Sequence, residues 1–154
     1  IPQIAQDYKK KFGFFHGDFI EKYRCEDAET ILLAMGAIGA ESKVSIDNLR
    51  KEGYKIGLAR VRTFRPFPEE EIVKLAKKAD LIVIDRNISC GYEGALFTEV
   101  KGALYNKSDV KVSGFIAGLG GKDVTYNHIQ DMCKKAIKGK LKGTVWYGFE
   151  EVKK

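Results

Sequence analysis

The chain of 154 residues has the length of one domain, and with 44% hydrophobic and 31% charged residues it has the composition of an ordinary globular protein. This composition excludes collagen, coiled coils and disordered chains, and no apolar run approaches the ~20 residues of a membrane helix. The net charge of +6 is concentrated at one end, because residues 1–133 carry +1 and residues 134–154 carry +5. The charge is therefore a feature of the C-terminal segment and does not indicate a basic, nucleic-acid-binding domain.

Short apolar runs predict the strands of a sheet. The first candidate, residues 19–24, alternates apolar and polar side chains as an edge strand does. Four later runs lack strict alternation, which is typical of strands buried on both faces of a parallel sheet. They are residues 30–34, 56–61, 81–84 and 110–119. Residues 144–149 are either a last strand or an extended cap.

Segments with helical periodicity separate these runs. The predicted helices are residues 40–52, 68–79, 94–105 and 125–138. Pro68 suits a first helical position, and Thr125 suits an N-cap. The alternation of strands and helices predicts an α/β domain over residues 19–154 with an open, mostly parallel sheet. Residues 1–18 are predicted to be a connection from an upstream domain, since the chain begins with Ile and reads as a piece of a longer protein.

Four loops lie at the expected carboxyl ends of the strands, where open α/β sheets bind ligands. They are residues 36–39, 62–68, 86–94 and 118–123, and each contains Gly or Arg. Three of them lead directly into a helix N-terminus, whose free N–H groups can bind an anion. The Gly36–Gly39 loop resembles a truncated dinucleotide fingerprint, but it lacks the third Gly, so a tight strand–helix turn is the preferred interpretation.

The spacing of reactive residues gives no catalytic set and no metal-ligand cluster. His16 and His128 are about 110 residues apart. The three cysteines are too few and too scattered for a disulfide framework or an iron–sulfur site, and they fit a reducing compartment. Cys90 is either a reactive thiol or an inert one, with the inert interpretation preferred. Three arginines at strand ends are either ligands of an anion or partners in salt bridges: Arg62, Arg65 and Arg86.

Taken in order, the loops and their flanking residues resemble a known family. The matching pieces are EDAETILLAMGAIG (26–39), LARVRTFRPFP (58–68), DLIVIDRNISCGYEG (80–94) and GLGGKDVT (118–125). They resemble the alpha subunit of archaeal-type pyruvate:ferredoxin oxidoreductases. The matching part is the second domain of that subunit, which is similar to the C-terminal domain of transketolases. The resemblance covers roughly residues 12–138.

The resemblance implies a three-layer α/β/α fold with a five-stranded, mostly parallel sheet. One edge strand is antiparallel, and residues 19–24 are the candidate for it. Residues 30–36 are central, between 55–62 and 81–86, so the strand order reverses between the 36–39 and 86–94 loops. The residues expected to contact a cofactor lie in these two loops: Gly36, Ala37, Gly39, Arg86, Asn87, Ser89 and Gly91.

The resemblance also implies an activity for the parent enzyme. Such an enzyme cleaves a 2-oxoacid with thiamine diphosphate and Mg²⁺, and the resemblance favours pyruvate as that 2-oxoacid. It passes electrons through iron–sulfur clusters to ferredoxin, and it forms CO₂ and an acyl-coenzyme A. The thiamine site lies mainly on the beta subunit, against the first domain of the alpha subunit, and the clusters lie in a ferredoxin-like subunit. No catalytic residue, metal ligand or resident cofactor is therefore expected in residues 1–154, and these residues alone are expected to be inactive.

The expected role of this domain is assembly, together with shaping the active-site mouth or the coenzyme A region. The implied partners are the beta, gamma and delta subunits, the first domain of the alpha subunit, and ferredoxin. Nucleic acid and membrane are not expected as partners, and the expected location is the cytoplasm. An excess of Lys over Arg, 21 to 6, favours a thermophilic source. The alternative is a free-standing α/β module that binds a nucleotide or coenzyme A.

Overall fold

The computed structural model describes residues 1–139, 141 and 143–149. Within these residues the sheet has six strands: β1 (Ile20–Tyr23), β2 (Thr30–Met35), β3 (Ile56–Val61), β4 (Asp80–Asp85), β5 (Val112–Ile116) and β6 (Thr144–Trp146). Their spatial order is β1-β3-β2-β4-β5-β6. β1 runs antiparallel to β3, and every other neighbouring pair is parallel.

Helices cover both faces of this sheet. They are α1 (Pro2–Phe12), α2 (Gly36–Lys51), α3 (Glu69–Ala76), α4 (Ala95–Leu104) and α5 (Tyr126–Lys138). α2 and α5 pack on one face, and α3 and α4 pack on the other. This is the predicted three-layer α/β/α arrangement. None of the helices in the described part of the chain is long and apolar enough to cross a membrane.

The central strands supply apolar side chains to both layers. On β2, Leu32 faces α2 and α5, whereas Leu33 faces α3 and α4, and both are fully buried. β4 repeats the pattern with Ile82 and Val83. Full burial of one such side chain contributes about 1.5–3 kcal/mol, so both faces hold the helices firmly. This double burial explains why the strand runs lack alternation.

The predicted order of the central strands is confirmed, with β2 between β3 and β4. The antiparallel edge strand is also confirmed, because Ile20 pairs with Val61 and Tyr23 with Leu58. The predicted count of five strands is wrong. Residues 144–146 form a sixth strand, since they pair in parallel with residues 114–116 of β5.

Three helices differ from the prediction. α3 ends at Ala76, three residues before its predicted end. α2 begins at Gly36, not at residue 40, because β2 runs into the helix without an intervening loop. α1 occupies most of the segment that was predicted only as a connection. The positively charged C-terminal segment is partly outside the described residues, since positions 140, 142 and 150–154 are not described.

Candidate functional site

The two candidate loops lie side by side at the carboxyl edge of the sheet. Ala34 of β2 pairs with Ile84 of β4, so Gly36 and Arg86 follow neighbouring strand ends. α2 leads to β3 on one side of β2, whereas α4 leads to β5 on the opposite side. The strand order therefore reverses between these loops, and ligands of open α/β sheets bind at such a position.

Asp85, the last residue of β4, fixes the start of α4. Its Oδ1 accepts a hydrogen bond from the Leu96 N–H at 3.0 Å, and its Oδ2 accepts one from the Phe97 N–H at 2.9 Å. The residue is 3% exposed. Burial raises the pKa of the Asp85 carboxyl, the two N–H donors oppose that rise, and the charge of Glu93 adds to it. Asp85 thus acts as a remote cap for a helix that begins ten residues later.

Asn87 caps the same helix, because its Oδ1 accepts a hydrogen bond from the Ala95 N–H at 3.0 Å. Together with Asp85, it occupies the first three N–H groups of α4. These N–H groups are the ones that a helix leaves without an internal partner. The expected anion site at this helix terminus is therefore filled by side chains of the preceding loop.

Gly94 is required by the position of Asp85. A Cβ at residue 94 would lie 2.2 Å from Asp85 Oδ2 and 2.4 Å from its Cγ. The backbone of Gly94, at φ −63° and ψ 140°, is one that any residue adopts. Space beside the carboxylate, and not backbone freedom, is therefore what demands glycine here.

The remaining predicted residues of the 86–94 loop hold its shape. The Arg86 Nε donates to the Gly118 carbonyl at 3.1 Å, which joins the loop to the end of β5. The Ser89 carbonyl accepts from the Tyr92 N–H at 2.9 Å. Gly91, at φ 71°, occupies the third position of this turn, which favours glycine. Arg86, Asn87, Ser89 and Gly91 remain on the exposed surface.

The loop after β2 differs, because it is the first turn of α2. Gly36 has a φ of 55°, and no side chain caps the helix at Met35. Ala37 is exposed, whereas Gly39 is buried against Arg60. A Cβ at residue 39 would lie 2.6 Å from the Arg60 Cγ, so glycine at this position leaves room for the Arg60 side chain to pack against α2.

A basic cluster beside this turn was missed by the sequence analysis. Its members Lys43, Arg60 and Arg62 surround the carboxylate of Glu21 at 2.5, 3.4 and 3.5 Å. The hydrogen bond from Lys43 lowers the pKa of Glu21, and the two arginines add to this effect, while burial opposes it. One carboxylate faces three cations, so the cluster keeps a net positive charge. The pairing of β1 with β3 places Glu21 opposite Arg60, and this register is the feature that could have revealed the cluster.

A second set of contacts that the sequence analysis missed centres on Glu93. This residue is 8% exposed, and its carboxylate pairs with Lys101. It also accepts hydrogen bonds from the hydroxyls of Thr98 at 3.4 Å and Thr144 at 3.2 Å. These bonds connect the loop to α4 and β6. The last partner follows Glu93 by 51 residues, so local sequence patterns could not reveal it.

The arginine at the 62–68 corner forms a salt bridge. Arg65 pairs with Glu99 at 2.6 Å, and its guanidinium lies 4.4 Å from the centre of the Phe64 ring. Phe64 contacts Phe67 edge to face, with ring centres 5.9 Å apart. The corner is thus held by aromatic packing and by α4. Over the described residues, no three His, Cys, Asp or Glu side chains are arranged as ligands of a metal ion.

The cysteines give a direct check of the loop's exposure. Cys90 is exposed, whereas Cys133 is buried, and burial raises its pKa to about 12. Burial also raises the pKa of Cys25, whose thiol donates to the Leu58 carbonyl at 3.1 Å. Because the thiolate is the reactive form, we expect one thiol per native chain to react rapidly with a thiol reagent. Rapid labelling that persists in Cys90→Ser would contradict this assignment.

Comparison with known proteins places the chain in a family. Residues 28–129, about two-thirds of the chain, match the family described as "Pyruvate:ferredoxin oxidoreductase core domain II". The chain belongs to this family. The match includes all seven candidate residues of the two loops, so these loops are part of the shared domain.

Relatives of this family are subunits of oxidoreductases. The chain is 41% identical to ketoisovalerate oxidoreductase subunit VorA of Pyrococcus abyssi over 154 residues, which is 96% of this chain and 39% of the relative. It is also 41% identical to pyruvate synthase subunit PorA of Pyrococcus furiosus over 155 residues, again 96% of this chain and 39% of the relative. The chain thus spans about two-fifths of the length of these curated relatives.

Solved structures share the fold. A 2-oxoglutarate:ferredoxin oxidoreductase from Magnetococcus marinus, solved with 2-oxoglutarate, coenzyme A and succinyl-CoA, matches 86% of this chain and 21% of its own, with a TM-score of 0.60. A split-gene transketolase matches 73% of this chain and 39% of its own, also with a TM-score of 0.60. Both are 17% identical to this chain. The transketolase-like fold that the sequence predicted is confirmed.

Proposed function

We propose that this domain belongs to the alpha subunit of a 2-oxoacid:ferredoxin oxidoreductase, with pyruvate as the first-choice substrate. The whole enzyme would use thiamine diphosphate, Mg²⁺ and iron–sulfur clusters, and it would form acyl-coenzyme A, CO₂ and reduced ferredoxin in the cytoplasm. Its partners would be the beta, gamma and delta subunits and ferredoxin. The family match and the names of the relatives, pyruvate synthase and ketoisovalerate oxidoreductase, support this proposal.

Within that enzyme, the role of this domain is to shape and assemble the site. The observation that carries this role is that the polar groups of the 86–94 loop bind within the domain. Asp85 and Asn87 cap α4, Arg86 binds the carbonyl of Gly118, and Glu93 bridges α4 and β6. Groups that are engaged in this way give a loop a fixed outer surface. A fixed surface suits the wall of a site whose reacting groups are supplied by neighbouring domains.

The basic cluster lies beside the neighbouring first turn of α2, and it gives this edge of the sheet a preferred ligand, the phosphates of coenzyme A. Lys43, Arg60 and Arg62 exceed their carboxylate Glu21 by two positive charges. Arg60 lies next to Gly39 in the first turn of α2. That turn has no side-chain cap. Cationic side chains beside uncapped N–H groups favour phosphate.

The first test separates the domain from the enzyme. We expect residues 1–154 alone to show no dye reduction dependent on pyruvate or 2-oxoisovalerate, whereas the assembled oxidoreductase should reduce the dye. We also expect calorimetric titration of the isolated chain with coenzyme A to show no tight binding, because the site needs several domains. Turnover by the isolated chain would overturn the proposed role. Tight coenzyme A binding by the isolated chain would favour the free-standing module instead.

The second test concerns the basic cluster in the assembled enzyme. A hydrogen bond to a charged group contributes about 1.5–3 kcal/mol, so Arg62→Ala should raise the KM for coenzyme A by roughly ten-fold or more. The KM for the 2-oxoacid should stay the same. Arg65→Ala is the matched control, because Arg65 pairs with Glu99 and lies outside the cluster. Equal effects of the two variants on the KM for coenzyme A would contradict this ligand assignment.

A further inference from the structure

α1 presents an apolar face that no other described element covers. Ile1, Ile4, Ala5, Tyr8 and Phe12 follow the spacing of one helical stripe. None of the residues of α1 is buried, and Ala5 alone is half-buried. Ile4 is 72% exposed and Phe12 is 52% exposed. An amphipathic helix in a folded protein normally buries such a stripe, so the described part of the chain does not include the partner of this face.

Aromatic residues extend the stripe beyond the helix. The ring centre of Tyr8 lies 4.5 Å from that of Phe12 and 5.6 Å from that of Phe14. His16 contacts both Tyr8 and Phe14, at 5.3 and 4.6 Å. Phe15 is also exposed. Residues 1–16 therefore form one aromatic surface, which we call the α1 face, and a cavity of about 280 Å³ opens into it between Tyr8 and His16.

Such a surface is costly to leave in water. An isolated helix of about 12–15 residues is already marginal in water, and α1 has 11. Soluble proteins rarely expose a large contiguous apolar patch unless it binds another protein surface. The exposed apolar residues of α1 therefore indicate that another protein surface covers this helix.

The rim of the α1 face has a defined charge. Lys9 and Lys11 flank the stripe, and their ammonium groups lie over the rings of Phe15 and Phe12 at 5.9 and 5.6 Å from the ring centres. With Lys10 and the single carboxylate of Asp7, the helix carries an excess of two positive charges. A complementary surface would be an apolar groove with an acidic rim.

We propose that the α1 face docks onto the remainder of the alpha subunit, through an apolar groove with acidic edges. This inference rests on the proposed function. The relatives support the choice of occupant, since their alignments cover 96–98% of this chain while spanning about two-fifths of each relative. Nearly all of this chain thus recurs inside subunits that hold a further body of protein. The α1 face is then an interdomain contact.

Photo-cross-linking in the assembled oxidoreductase tests this docking. p-Benzoylphenylalanine replaces Tyr8 in the full-length alpha subunit, and in a matched variant it replaces Lys10, on the opposite side of α1. We expect the probe at position 8 to cross-link to an alpha-subunit peptide outside residues 1–154, at least ten-fold more than the probe at position 10. Cross-links to a second copy of residues 1–16, to another subunit or to lipid would overturn the proposal, as would equal yields at the two positions.

A charge substitution separates docking from folding. Tyr8→Glu should leave the melting temperature of the 154-residue chain nearly unchanged, because the ring contacts of Tyr8 with Phe12, Phe14 and His16 lie within the α1 face. In the full enzyme it should lower the yield of assembled, active oxidoreductase by ten-fold or more, whereas Lys10→Glu should not. Unchanged assembly of Tyr8→Glu would overturn the docking proposal. An assembled wild-type complex that oxidises no 2-oxoacid would instead overturn the proposed function.

Discussion

Gly94→Ala is expected to lower the free energy of unfolding by about 3 kcal/mol, which combines overpacking with loss of a buried hydrogen bond. The added methyl group would lie 2.2 Å from the Asp85 Oδ2, so either the carboxylate or α4 must move. Either movement breaks a hydrogen bond between Asp85 and the N–H groups of Leu96 and Phe97. For a chain of this length, we expect the melting temperature to fall by about 10 °C.

The same helix provides the control. Gly102 also lies in α4, and a Cβ there would meet no atom within 4 Å. Gly102→Ala should therefore stabilise the domain by about 0.5–1 kcal/mol, because alanine favours an α-helix over glycine. Thermal unfolding of both variants checks the comparison. Similar melting temperatures for the two would show that the space around Asp85 does not constrain Gly94.

The strand pattern of the fold could be predicted because burial on two faces leaves a local signature. Residues 81–84 are apolar without alternation, and the structure places them on β4 between two other strands. The edge strand β1 was also predictable, since its alternation reflects one covered face. The sixth strand was left open because residues 144–146 are few and their pairing with β5 connects distant parts of the chain.

The helix boundaries show where local rules mislead. Glycine is a poor helix former, so Gly36 and Gly39 indicated a loop before α2. Both lie inside the helix, where Gly39 makes room for Arg60. α1 was not predicted as a helix, because residues 1–18 were interpreted as a connection from an upstream domain, and the structure shows that its apolar residues are exposed.

The contacts of the site depended on tertiary structure. Asp85 was visible as a polar residue at a strand end, but its hydrogen bonds reach N–H groups 11 and 12 residues later. The grouping of Lys43, Arg60 and Arg62 around Glu21 required the antiparallel register of β1 and β3. The positions of the loops at the reversal point could therefore be predicted from the sequence, whereas the partners of their side chains could not.

Substitution of Asp85 is expected to cause the second large loss of stability. Asp85→Ala removes the acceptor of two buried N–H groups, and each unsatisfied group costs about 1–3 kcal/mol, so we expect a loss of about 3 kcal/mol in the free energy of unfolding. Asp85→Asn keeps one acceptor oxygen and should lose about half as much. Asp80, at the opposite end of β4, is exposed, so Asp80→Ala should change stability by less than about 0.5 kcal/mol. Urea unfolding measures all three.

The dependence on pH distinguishes Asp85 from asparagine at the same position. Burial raises the pKa of Asp85 in the folded protein, so above the ordinary value of about 3.9 the folded state holds a proton that the unfolded chain has lost. Asp85 therefore stabilises the folded protein most at a pH below that value. Its contribution falls as the pH rises through the folded-state pKa, by about 1.4 kcal/mol for each unit by which the folded-state pKa exceeds the unfolded-state pKa. Asparagine does not titrate, so the advantage of the wild type over Asp85→Asn should shrink between pH 4 and pH 7. If the advantage instead grows with pH, the N–H donors of α4 outweigh burial, and the carboxylate is stabilised as an anion.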